Sequence, residues 1–376
     1  MKKTSDSMTG WTGGGQVVVG LDLGDKESHW GAINTADGEL RDGTVAMTHD
    51  AIASWVLCAP RSRVVMEAGT HAFWVARLLL ALGHQAVVVP SDALVRGRGR
   101  RRKNKNDDRD KYGLRDIGLD MEHKPIQTIW VRPAEYQSDL TLMRARAAVV
   151  RTRSTIGTSV RGLVKSLGER IGKHTVESLP KFARLELSAD TVRMVDPMLL
   201  TLEMMNSQIK AYDQQIEAYL ARRPESVRLR GPKGVGPAIV GGYMAIIGSP
   251  ERFKESRIVA CYLGLAPWQH QSGEHDPQLG ISKAGSNMGR WLMIQGAHYV
   301  LGPFGEDSDL RRWGLKLAGD GKNKARKRKA VVAVARKLAV LLHHLWVSGE
   351  EYEPLRNANR AAAKAALAQN AVPTNP

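Results

Sequence analysis

Cysteine is almost missing from this chain. Its 376 residues hold two, Cys58 and Cys261, which excludes a disulfide framework and supplies none of the closely spaced ligand sets that structural zinc requires. A reducing cytoplasm suits such a composition. Aromatic residues are also scarce, at 6% with four phenylalanines, and no basic motif interleaved with aromatics suggests base stacking of the RNA-recognition type. No apolar stretch approaches the roughly 20 residues that span a bilayer, and residues 1–15 are polar and glycine-rich rather than signal-like. The first apolar run lacks a glycine-rich phosphate fingerprint after it, which argues against a doubly wound nucleotide binder. Acidic residues are outnumbered too: 38 Asp and Glu face 55 Lys and Arg, a net charge of +17. Such an excess repels itself unless a polyanion neutralises it, so nucleic acid is the first expected partner and an acidic membrane surface a distant second.

What is present is enough apolar material for more than one core, 43% of a chain longer than the usual single domain. From Gln16 to about Val131, short β-branched runs (Gln16–Asp22, Ser28–Asn34, Arg63–Glu67, Ala86–Val89, Ile126–Val131) alternate with helical stretches such as Ala72–Leu82. Adjacent strands before the first helix predict a mixed sheet of the ribonuclease H type. The middle third is helical. Leu140 to Leu167 forms one long helix rich in arginine, and Leu199, Leu202, Met205, Ile209, Tyr212, Ile216 and Tyr219 recur at steps of three and four. An antiparallel arm is expected, either with a seam open to a second copy or as a hairpin packed on itself. The boundaries read from the sequence are a disordered 1–15, an α/β domain over 16–132, a helical arm over 133–225, a mainly helical domain over 226–356 and a tail over 357–376.

Four carboxylates are the candidates for the chemistry; singly, Asp22 also reads as a turn former, Glu67 as a cap of the helix near Thr70, and Asp107 with Asp110 as partners of the neighbouring arginines. Asp22 and Glu67 each end a buried strand, where functional groups collect in open sheets. Asp107 and Asp110 stand three residues apart at the expected start of a helix, on one face, where a helix amino end favours negative charge. Oxygen ligands from separate segments, without histidine or cysteine, suit hard divalent ions, and two such ions activate a nucleophile and stabilise a leaving oxygen at a phosphodiester. Mg²⁺, as two ions, is the expected cofactor.

Cations surround this set. Arg96 to Lys105 places seven in ten residues, among them Arg98, Arg100, Arg101, Arg102, Lys103 and Lys105, with no apolar anchor. Lys322, Lys324, Arg326, Lys327, Arg328 and Lys329 precede an apolar stripe of Val331, Val334, Leu338, Leu341 and Leu345. Cations at a helix amino end oppose the macrodipole, and phosphates would reverse that sign. The glycine turn Arg230 to Ala238 leads into an apolar helix whose free N–H groups can hold a phosphate, or is a structural turn only.

At these residues the chain resembles the DEDD-type transposases of the IS one-ten insertion-sequence family, the bridge-RNA-guided recombinases. The resemblance runs through Val-Gly-Leu-Asp22, Met-Glu67-Ala-Gly and Lys105-Asn-Asp107-Asp-Arg-Asp110 in the amino half. In the carboxyl half it runs through Gly-Val-Gly-Pro-Ala238, Tyr262-Leu-Gly-Leu-Ala-Pro267, Gln271-Ser272-Gly273 and Ile281-Ser-Lys-Ala-Gly285. It implies a first domain similar to a RuvC resolvase, a coiled-coil arm and a small helical transposase domain. It further implies that Asp22, Glu67, Asp107 and Asp110 are Mg²⁺ ligands and that Ser272 is a nucleophile forming a phosphoserine link, with strand exchange through a Holliday junction. Ser282 is the rival nucleophile, and its neighbour Lys283 a phosphate contact. Expected partners are double-stranded DNA at the element ends and target, a structured guide RNA and further copies of the chain, as dimer or tetramer, with no membrane; the setting is the bacterial cytoplasm, at the nucleoid when active. Two positions depart from the family pattern: Asn106 replaces threonine and Lys111 replaces alanine. The stretch from about Leu167 to Pro197 is longer than typical, so a longer arm or an added subdomain is expected. A metal-dependent junction nuclease using water, and a non-enzymatic nucleic-acid-binding protein, remain the alternatives.

Overall fold

The computed structural model describes residues 8–11, 14–94, 107–268 and 279–361, with the backbone alone for residues 107–109. The chain divides into two compact units, at Glu135 and Tyr136.

In the first unit, five strands form one sheet in the order β3-β2-β1-β4-β5. β1 (Val17–Asp22), β2 (Glu27–Asn34) and β3 (Leu40–Ala46) make an antiparallel meander. β4 (Ser62–Glu67) and β5 (Gln85–Val89) add in parallel on the other side of β1. β1 is central and buried on both faces, which is why its sequence reads as a continuous β-branched run rather than an alternation. Alternation nevertheless sorts the faces. Val17, Val19, Leu21, Val64 and Met66 pack under α1 (His49–Leu57) and α2 (Ala72–Ala81), through Ile52, Val56, Val75, Ala76 and Leu79. Val65, Val87 and Val89 face the other way, against Leu94 and the Leu114 of α3 (Asp107–Asp120). The expected mixed sheet with strands ahead of the first helix is therefore present. The expected strand over Ile126–Val131 is not: only Ile129 bridges Val88, through a 2.7 Å bond. Pro125 and Pro133 bracket the segment, and proline cannot donate to a ladder.

The second unit is helical. α4 (Ala134–Ser166), whose first two residues fall before the division, and α6 (Ala189–Ala221), each 33 residues long, run antiparallel, tied by Asp139 to Arg223, Arg146 to Asp213 and Arg153 to Asn206 at 2.6, 2.6 and 2.8 Å. The heptad-like seam is spent within the chain. Leu199 and Leu202 pack on Val160 and Val164, while Ile216 and Tyr219 join Leu140 and Met143 in the core beyond. The long stretch after Leu167 forms a cap on the arm's tip: α5 (Leu179–Glu186) contributes Leu179 and Ala183 to the tip core, His174 stacks on Phe182 at 3.6 Å, and Glu186 accepts from Gly172 N–H. α7 (Glu225–Leu229), α8 (Pro237–Ile247), α9 (Ser256–Tyr262), α10 (Asn287–Leu301) and α11 (Asp309–Ala318) gather around α12 (Lys324–Ser348). Among the described residues α12 is the one helix long and apolar enough to cross a membrane. Its apolar stripe is instead core: Val334, Leu338, Leu342 and Leu345 are buried among the surrounding helices.

Candidate active site at the carboxyl edge of the sheet

Asp22 and Glu67 are the last residues of neighbouring parallel strands whose register pairs Leu21 with Met66, so one further step sets the two acids side by side. Strand alternation turns both toward the α3 face, as it does Gly20 and Val65. How α3 crosses that face is fixed by glycines. A Cβ on Gly20 would lie 1.8 Å from the Lys111 carbonyl oxygen and 2.4 Å from the Arg115 nitrogen; a Cβ on Gly118 would meet Val18 at 2.7 Å and Val65 at 2.8 Å. The helix thus runs antiparallel to β1, and its amino end arrives where β1 and β4 finish. Asp110 precedes Lys111, and Asp107 is the first helical residue. Positive helix-end charge and two strand-end carboxylates share one edge. Asp22, Glu67 and Asp110 are half-buried.

Among the described residues no group of three Asp, Glu, His or Cys side chains stands close enough to hold a metal. The side chain of Asp107 lies outside the described residues. The donors brought to this edge are carboxylate oxygens, the ligand type of hard divalent ions.

His29 at this edge and Asp42 two residues back from it have no part in the sequence analysis, and Lys111 enters there only as a departure from the family pattern. His29 pairs with Asp22 across β1 and β2 and, two residues from Gly31, faces α3 as well. Lys111 is 3% exposed and donates to Asp42 at 3.1 Å. A strand period of two would have found His29; the Lys111–Asp42 pair spans 69 positions and has no local signature.

The basic loop with Arg98, Arg100, Arg101, Arg102, Lys103 and Lys105 lies outside the described residues, as do Ser272 and its flanking His270 and His275. The stem that carries Ser272 is described. Pro267 bridges Ile281, Trp268 N–H donates to Gly280 at 2.9 Å, Ser282 N–H to Ala266 at 2.8 Å and Lys283 N–H to Gly264 at 3.1 Å. Gly264 and Gly285 make the approach possible: a Cβ on either would fall 1.9 or 2.0 Å from a carbonyl of the opposite side, and their φ values are 66° and 82°. Ser282 is half-buried within the stem, whereas Lys283, itself at φ 55°, is exposed. In the glycine turn before α8, Gly231 packs on Tyr352 and Gly234 on Tyr299, and Gly236 caps the helix without a side-chain bond.

Lys322, Lys324, Arg326, Lys327, Arg328 and Lys329 are all exposed at the start of α12, where Asn323 accepts from Ala325 and Arg326 N–H at 2.9 and 3.1 Å. The cap lets the helix begin in spite of the cations. Replacing Lys324, Lys327 and Arg328 by glutamine should weaken DNA binding and flatten the slope of log affinity against log salt by about 0.9 for each phosphate no longer neutralised, read by fluorescence anisotropy across a salt series. An unchanged slope would remove this patch from the nucleic-acid interface.

Residues 227–307 match the Transposase IS116/IS110/IS902 family, and residues 19–168 match the transposase model DEDD_Tnp_IS110. Curated relatives agree. The putative transposase y4rJ of Sinorhizobium fredii is 30% identical over 303 residues, 74% of this chain and 75% of that protein. The probable family 20 transposase of Pseudomonas aeruginosa is 27% identical, over 68% of this chain and 76% of its own length. The transposase for insertion sequence element IS1111A of Coxiella burnetii is 30% identical over 59% of this chain, and the match spans 62% of that relative's length. With a mixed five-stranded sheet that bears acids at one edge and falls within the DEDD_Tnp_IS110 match, and a helical unit that holds the Transposase IS116/IS110/IS902 match, the chain belongs to the IS110/IS116 family of transposases.

Proposed function

We propose that this transposase cuts and rejoins double-stranded DNA at the ends of its own insertion sequence and at a target, with Asp22, Glu67, Asp107 and Asp110 holding Mg²⁺, as two ions, and Ser272 as the nucleophile. Family membership carries the transposition of an insertion sequence and the breakage and transfer of DNA strands. The observation that supports the finer reading best is the arrival of two strand-end carboxylates and the amino end of an acid-bearing helix at one edge of one sheet face. Bound divalent ions supply Lewis-acid charge to the phosphodiester there. The carboxylates of Asp22, Glu67, Asp107 and Asp110 would hold those ions. Ser272 Oγ attacks phosphorus and forms a phosphoserine as the bond from phosphorus to the adjoining sugar oxygen breaks. The departing sugar oxygen takes a proton in place of the one the serine gives up. A sugar hydroxyl of the other duplex then reverses the step, and exchange in two stages passes through a Holliday junction. The reaction needs the acid edge and Ser272 on one phosphate, whether from one chain or from two copies in a dimer or tetramer.

Specificity is delegated to base pairing with a structured guide RNA, and the protein holds backbones through its exposed cations. The scarcity of aromatics supports this division of labour, and so does the cationic surface. The protein works in the bacterial cytoplasm, at the nucleoid.

Denaturing gels of labelled element-end DNA with guide RNA and Mg²⁺ test the proposal. A protein–DNA adduct is expected that persists in Ser282→Ala and is lost in Ser272→Ala. Cleaved DNA with no adduct would indicate a nuclease using water instead, and binding without cleavage a purely architectural protein.

A further inference from the structure

α3 lies on the sheet more closely than ordinary side-chain packing allows. Gly20 on β1 and Gly31 on β2 are cross-strand partners, and together they open a slot for one turn of the helix. A Cβ on Gly31 would lie 2.8 Å from the Tyr112 ring. The next residue in the same row is Asp42 on β3, which pairs with Gly31. Lys111 runs along this row. Its Cγ would be 3.5 Å from a Cβ on Gly31, its ammonium is 5.1 Å from the Tyr112 ring centroid, and its Nζ donates to Asp42 Oδ2 at 3.1 Å.

An ion pair whose lysine is buried and whose aspartate is half-buried is seldom the most stable way to fill such a space, because desolvation of the ammonium offsets much of the Coulomb gain. What a charged pair adds is a defined setting. An apolar contact tolerates sliding by a fraction of a helical turn, whereas an ammonium hydrogen-bonded to a carboxylate resists both rotation and axial shift. That setting matters here because Lys111 directly follows Asp110, and the row Asp42–Gly31–Gly20 lies two residues, about 6.6 Å of strand, from the end of β1 at Asp22.

We infer that Lys111 and Asp42 form a positioning clamp that sets where Asp110, and with it Asp107, stands relative to Asp22 and Glu67, and so tunes the affinity of this edge for a divalent ion. The inference rests on the proposed metal-binding role of the four acids. Neither member of the clamp touches the reacting atoms; both act through α3.

Manganese is the probe, titrated into the full-length protein and followed by the electron paramagnetic resonance of free Mn²⁺, with a thermal melt of each variant beside it. Asp42→Asn and Lys111→Met are expected to weaken Mn²⁺ binding by about 10-fold or more, as outer-shell changes at metal sites do, and Lys111→Arg to restore it to within about threefold. Should the single variants fail to fold, the double variant Lys111→Met with Asp42→Leu removes both charges and fills the space, and it should fold yet bind Mn²⁺ equally weakly. Folded variants with a lowered melting temperature and Mn²⁺ affinity within about twofold of the unaltered protein would reduce the pair to an ordinary structural salt bridge. Asp22→Ala separates this inference from the reading beneath it. Loss of Mn²⁺ binding in Asp22→Ala with none in the clamp variants overturns the clamp alone, whereas Mn²⁺ binding retained in Asp22→Ala overturns both.

Discussion

Asp22→Asn is expected to lower DNA strand cleavage by about three orders of magnitude, the rate equivalent of the several kcal/mol that a properly held divalent ion contributes to a phosphoryl transition state. Asparagine keeps the volume and one oxygen of the side chain but removes its charge, so the end of β1 stays folded while its hold on a cation fails. Binding to DNA should persist, because the cations proposed to meet phosphates lie elsewhere in the sequence, between Arg98 and Lys105 and at the start of α12. The neighbouring Asp25 is the control. Its side chain is 93% exposed and meets only His71, at 3.5 Å, among its described ion-pair partners, so Asp25→Asn should cleave as the unaltered protein does. Quantitative cleavage assays at fixed Mg²⁺ with anisotropy for binding decide the matter. If Asp22→Asn cleaves at an undiminished rate, or if both aspartates behave alike, the acid edge is not the reaction centre.

Gly20→Ala is expected to cost stability and activity together. The added methyl would collide with the Lys111 carbonyl and the Arg115 nitrogen, both backbone atoms of α3, so no rotamer change relieves it and the helix itself must move. Overpacking of this kind costs about 1–3 kcal/mol, and the rigid neighbours place this case near the upper end. A fall in melting temperature of roughly 10 °C follows for a unit of this size. Displacement of α3 also carries Asp110 away from Asp22, so cleavage should drop further than the loss of folded protein explains. Gly69→Ala, in the loop after Glu67 where a Cβ meets nothing within 4 Å, should change neither. A Gly20→Ala protein with an unaltered melt would show that α3 is not seated on β1 as described.

Much of this arrangement could be read along the chain, and the exceptions share a cause. The run Val17–Leu21 announces a central strand because both of its faces are covered, and the acids at the ends of β1 and β4 come to one edge because parallel neighbours finish together. The stripe from Val331 to Leu345 proved to be core for a similarly local reason, a helical period written in one segment. What stayed hidden depends on register between distant segments. The slot of Gly20 and Gly31 exists only once β1 and β2 are paired, and Asp42 reaches Lys111 only once β3 is added to the same row. Ile126–Val131 has strand composition but prolines at both ends, so composition alone misled. The seam from Leu199 to Tyr219 showed its spacing without its partner, because a heptad repeat specifies a facing helix and not whose helix it is. Here it is the chain's own α4.

That last pairing has a mechanical consequence. Each of the two long helices measures about 50 Å at 1.5 Å per residue, and polar ties near its base and middle, with a small separate core at its tip, hold them at one stagger throughout. So tied, the pair resists sliding although Pro197 interrupts the hydrogen bonding of α6, and a small rotation where α4 and α6 enter the helical core would be magnified into a displacement of several ångströms at the cap. Whatever grips the cap senses, and can drive, the angle at the far end.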